Sequence, residues 1–157
     1  LSIPVRSAAP SPLDGAALAS VNEETIRRLV HGFYDAVLRD PLIGPIFARE
    51  VASDRWPVHL EKMCAFWSSL LLKTRRYQGR PLRPHLMIGE IRDEHFQRWI
   101  SLFSKTAKRV FNAEDAAAVA ALATRIANSF RLSIALHRGE DTTRLPPLEP
   151  GTTGIAS

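Results

Sequence analysis

Apolar residues recur along this chain with a helical period. Ile26, Leu29, Val30, Phe33, Val37 and Leu38 stand at i, i+3, i+4, i+7, i+11 and i+12, which is one face of a helix of 3.6 residues per turn. Asn22 is placed to cap that first helix, with Glu23 and Glu24 in the turn where the dipole favours negative charge. Pro41 forbids its continuation, and the stretch PLIGPIF predicts a tight corner ending in Phe47. A second helix is predicted from near Trp56, capped by Asp54 and with Pro57 in its first turn. Its apolar face is Leu60, Met63, Trp67, Leu70 and Leu71, and it is expected to run out around Arg75 or Arg76. A third helix starts at Asp93 and carries Phe96, Trp99, Ile100, Phe103, Ala107 and Val110. A fourth follows Asn112, with Val119, Leu122, Ile126, Phe130 and Ile134 facing inward, and Gly139 stands where a C-terminal cap belongs. Between the second and third helices, YQGRPLRPHLMIG leaves room only for a short helical turn. No segment alternates as a strand does, so the predicted class is all-α.

Composition narrows this picture without changing it. At 157 residues the chain has length for one domain with one core. Residues 1–20 and 140–157 are rich in Pro with Ala, Ser, Gly and Thr, and are expected to be flexible tails around a domain of residues 21–139. A net charge of +5 favours acidic partners or an anionic cofactor edge. Cys64 is the single cysteine, which excludes an internal disulfide and a cysteine metal cage and makes a reducing cytoplasm the expected location. The longest charge-free apolar stretch, Met63 to Leu72, is ten residues. A bilayer needs about 20, so no membrane span is expected. The proline-broken N-terminus is a poor signal peptide.

The chemistry must come from few residues. Of the five histidines, His31 lies off the apolar stripe and His137 suits a helix C-terminus. His95, in the first turn of the third helix, reads as a surface residue or a pocket-edge donor. His59 lies beside the apolar face of the second helix, one turn before Met63. His85 sits in PLRPHL, pinned by Pro81 and Pro84. A histidine on such a segment is more often a structural hydrogen-bonder than a ligand, and composition alone does not decide between them. Lys73, Arg75, Arg76, Arg80 and Arg83 form a basic cluster that reads first as a solvated helix end. Tyr77 is the one aromatic interleaved with it and no DNA-binding motif accompanies it, so no nucleic-acid partner is expected. Cys64, among apolar neighbours, reads as a small core residue.

Tyr34, His59, His85 and Trp99 follow one another on successive elements. Together with the stretches FYDAVLRDPLIGPIF, HLEKMCAFW, GRPLRPHL and HFQRWISLF, they make residues 22–136 resemble group III of the truncated haemoglobins. The resemblance implies a two-over-two helical sandwich of four main helices enclosing haem b. The segment around His85 would be the remnant of a fifth helix, offering its imidazole to the iron as the metal ligand. Tyr34, His59 and Trp99 would line the opposite, distal side. There a phenol or indole donor can bond O2, which carries partial negative charge when bound. His59 is left with three roles: ligand hydrogen bond, mobile gate, or second iron ligand. Phe47 and Met63 would supply apolar walls, and Lys62 and Arg83 are candidates to pair with the haem propionates. The implied ligands are O2, NO, CO or similar molecules. A redox enzyme using bound O2 or NO is the alternative to a simple binder. It would need an external reductase, because no flavin or nicotinamide domain accompanies these helices.

Overall fold

The computed structural model describes residues 18–79, 91–143 and 147–148. Among these residues five α-helices carry the fold: α1 Glu23–Arg39, α2 Gly44–Glu50, α3 Trp56–Leu72, α4 Asp93–Val110 and α5 Ala113–His137. The expected caps at Asn22 and Gly139 form, and Asn112 caps the start of α5 as well. The Asn22 side chain accepts the N–H of Thr25 while Thr25 Oγ1 accepts the N–H of Asn22, both at 2.9 Å, a reciprocal capping box. Asn112 accepts the N–H of Asp115 at 2.8 Å. Gly139 takes φ +75°, the left-handed conformation expected just beyond α5.

Four local expectations are corrected. Residues 41–43 do turn, but the chain then enters α2 and continues to Glu50. Pro45 fits the first turn, where its missing N–H is not needed. Gly44 is obligatory for the entry, since a Cβ there would lie 2.9 Å from the carbonyl oxygens of both Val37 and Leu38. Asp54 does not cap α3. It lies in a short 3₁₀ turn, Ser53–Arg55, and the N-cap is Arg55. α3 ends at Leu72 rather than Arg75 or Arg76, because Lys73 turns left-handed at φ 58°. Leu38, expected inward, is 42% exposed, while its neighbour Val37 is fully buried.

The helices pack as two pairs. α1 lies against α3, α4 lies against α5, and α1 also contacts α4, which joins the pairs. The main core runs through this junction: Ile26, Leu29, Phe33 and Val37 of α1, Trp67 and Leu71 of α3, Phe103 and Ala107 of α4, and Val119 and Ala123 of α5. Burying each large apolar side chain contributes roughly 1.5–3 kcal/mol. A smaller cluster holds Ile91, Phe96, Ile100 and Ile134, and Leu148 packs into it. Leu148 is tied to α5 through its backbone: its N–H donates to Asn128 Oδ1 at 2.8 Å and its carbonyl accepts from Asn128 Nδ2 at 3.3 Å.

By length and composition alone α5, 25 residues long with an 18-residue stretch of mean hydropathy 1.2, is long and apolar enough to cross a membrane. Arg125 and Arg131 interrupt its alanine-rich sequence, so its charge-free runs are short. In the fold its Val119, Ala123, Ala127 and Ile134 are core residues.

Candidate functional site

An aromatic cluster forms where α1, α2, α3 and α4 converge. Tyr34, one residue beyond the core position of Phe33, is buried. Its ring centroid lies 5.8 Å from Phe47 on α2, 5.6 Å from Trp56 and 5.0 Å from His59 on α3, the His59 ring meeting it edge-on at 82°. Trp56 and His59 also meet each other at 5.1 Å. Phe33 links this group to α4, lying 4.9 Å from Tyr34 and 5.3 Å from Trp99, edge-on to both. Trp99 in turn stacks on Phe103 at 5.4 Å and 18°. Such edge-to-face and stacked contacts follow the ring quadrupoles and fix ring orientation as well as position.

Burial sets the chemistry of Tyr34. It pushes the phenol well above its ordinary pKa, since the charged form would lose hydration. The hydroxyl therefore stays protonated across the physiological range and acts as a hydrogen-bond donor. Trp99 is half-buried, and its indole can only donate. His59 is half-buried beside Tyr34. The cluster thus combines an apolar aromatic wall with up to four N–H or O–H groups, on Tyr34, Trp56, His59 and Trp99, from three helices.

The fold brings Phe47 and His59 each into ring contact with Tyr34 and adds Trp99 through Phe33. Met63 is half-buried against the same core, and Lys62 is exposed on α3. His85 and Arg83 lie outside the described residues. His31 and His137 are exposed, as expected. His95 is half-buried, and its Nδ1 accepts the N–H of Arg92 at 2.8 Å and so caps the start of α4. Cys64 is half-buried, and burial, with the nearby Glu61 charge adding to it, raises its thiol pKa. Trp56 was not singled out from the sequence. Its signal was its place three residues before His59, which puts both rings on one side of α3. A cavity of 220 Å³ opens elsewhere, between the start of α4 and the end of α5, lined among others by Ile91, Phe96, Arg131 and Arg138. None of Tyr34, His59 and Trp99 lines it, so it is separate from the aromatic cluster.

The two helix pairs, with the aromatic cluster at the junction of α1, α3 and α4, define a globin fold of the truncated type. Comparison with known proteins agrees. The chain is 32% identical over 114 residues to the group 3 truncated hemoglobin ctb of Campylobacter jejuni subsp. jejuni serotype O:2, covering 71% of this chain and 90% of that protein. The crystal structure of the group III truncated hemoglobin from Campylobacter jejuni superposes with a TM-score of 0.70 at 30% identity, covering 76% of this chain and 95% of that one. No protein-family model matches the chain. The chain belongs to the group III truncated haemoglobins. Membership implies a haem-binding globin. The residues described fit such a group: aromatic rings form an apolar wall, and the buried phenol of Tyr34 provides a donor that remains protonated.

Proposed function

We propose that this protein holds haem b through His85 and binds O2, NO or CO in a polar distal pocket made by Tyr34, Trp99 and His59. The observation that carries the reading is the burial of the Tyr34 phenol in one aromatic cluster with His59 and, through Phe33, with Trp99. Haem, when bound, supplies an iron that takes a diatomic ligand. Tyr34 and Trp99 donate hydrogen bonds to that ligand, and their rings, with Phe47 and Met63, keep water out. His85 supplies the neutral imidazole nitrogen that the iron needs. Lys62 and Arg83 would pair with the haem propionates. Several donors around one ligand retain it, since hydrogen bonds to charged groups contribute about 1.5–3 kcal/mol each. Strong retention favours redox chemistry over release. NO dioxygenation, or reduction of a bound ligand, with an external reductase, is therefore the second reading.

Absorption spectra of the purified protein, oxidised, reduced and with CO, test the haem directly. A haem spectrum with a CO-dependent shift is expected, and a colourless protein that takes up no added haem would reject the reading. The same spectra address His59. We read it as a mobile gate rather than a second iron ligand, because Tyr34 and Trp99 already supply donors. His59→Ala should then speed CO rebinding after flash photolysis while the ferrous protein stays five-coordinate before and after substitution. A six-coordinate, low-spin ferrous wild type that becomes five-coordinate in His59→Ala would assign His59 to the iron instead. Identical rebinding and spectra would leave His59 without a distal role.

A further inference from the structure

Asp40 is a buried carboxylate that ties three parts of the fold together. It stands at the C-cap of α1, and its side chain is 6% exposed. Its Oδ2 accepts the N–H groups of Leu42 and Ile43, both at 2.9 Å, which shapes the turn into α2. Its Oδ1 accepts from Arg98 Nη1 on α4 at 2.6 Å. Burial alone would raise its pKa, but the Ile43 N–H, the Arg98 guanidinium and the Leu42 N–H outweigh it and hold the carboxyl below its ordinary value. It is therefore charged at neutral pH. A buried charge left without its partner is strongly unfavourable, so Arg98 is held where Asp40 needs it.

Arg98 immediately precedes Trp99, and successive helical residues point about 100° apart. With Arg98 bound to the α1–α2 turn, the Trp99 indole is directed to the neighbouring sector of α4, where it meets Phe33 edge-on at 5.3 Å. Phe33 lies 4.9 Å from Tyr34. Through α2 the same carboxylate supports Phe47, which lies 5.8 Å from Tyr34. One short charge-assisted bond thus links α4, beside Trp99, to the end of α1 and the turn into α2, the helices that carry Tyr34 and Phe47.

We propose that Asp40 and Arg98 are a positioning pair that aims the Trp99 indole into the space faced by Tyr34, and so tunes how long a diatomic ligand is held. The inference rests on the distal reading above. Neither residue touches the ligand. Each acts through its neighbours.

The infrared C–O stretch of the ferrous CO complex tests this, because it responds to the polar groups near the bound CO and not to global stability. Arg98→Leu is expected to shift or split that band and to raise the O2 dissociation rate several-fold. Arg98→Lys, which keeps the charge, should retain the wild-type band. In a Trp99→Phe background, Arg98→Leu should move the band no further, since the group it positions is gone. A lowered melting temperature with an unchanged band in Arg98→Leu would make the pair merely structural and overturn the proposal, as would a lysine variant that behaves like leucine. If Trp99→Phe alone leaves the band unmoved, the distal reading itself fails and the proposal with it, an outcome distinguishable from the first two.

Discussion

The protein with His85 replaced by glycine is expected to lose most of its haem during purification and to regain it, with a changed ferrous spectrum, when imidazole is added. The expectation follows from iron's need for a fixed nitrogen donor and from the place of His85 in PLRPHL, where Pro81 and Pro84 restrict the backbone that presents it. Free imidazole fills the space the side chain leaves and restores the nitrogen without the covalent tether. His85→Ala should lose haem similarly and respond less, because the extra methyl narrows that space. Haem content per chain and the ferrous spectrum are the measurements. Both variants retaining full haem and an unchanged spectrum without imidazole would exclude His85 as the iron ligand. His59 would then be the first alternative.

The second large effect concerns Tyr34 and Trp99. Tyr34→Phe removes one hydroxyl from a buried ring that already packs against Phe47, Trp56 and His59, so the cluster should persist. Trp99→Phe removes the indole N–H together with some volume against Phe33 and Phe103. Each lost bond to the ligand should raise the O2 dissociation rate by about tenfold or more, from a loss of about 1.4 kcal/mol or more. The single variants can fall short of this if the other donor compensates, so the double variant decides. Its dissociation rate, measured by stopped flow with CO replacement, should rise about a hundredfold if the two contributions add. An unchanged rate in the double variant would mean that neither group bonds the ligand.

The site was only partly legible in the sequence, for a physical reason visible residue by residue. Tyr34, His59 and Trp99 could be singled out because each sits beside an apolar stripe on a different helix and together they match one family's pattern. That they share one cluster depends on Phe33, which bridges α1 and α4, and so on how those helices cross. Trp56 was legible as a helix start but not as part of the site, because a tryptophan there has no periodicity to mark its face, and only the approach of α1 brings it against Tyr34. The Asp40–Arg98 pair spans 58 positions. An aspartate before a proline is an ordinary helix end, and an arginine beside an inward tryptophan is an ordinary exposed residue, until packing joins them.

The sequence by itself determined the four long helices, most of their inward positions and the caps at Asn22 and Gly139. Those features depend on neighbours within a turn or two, where spacing and backbone preference suffice. Tertiary structure decided the rest. The chain enters α2 after Pro41 because Gly44 can lie against the end of α1 and Asp40 can hold the turn. Leu38 faces outward and Val37 inward because α1 meets its partners over a narrower face than its apolar pattern offers. α3 stops at Leu72, where Lys73 turns left-handed and Thr74 folds back to within 2.8 Å of Ser68 through their hydroxyls. Which aromatic rings meet around Tyr34 was settled in the same way, by contacts between residues distant in the chain whose energies exist only once the helices have packed.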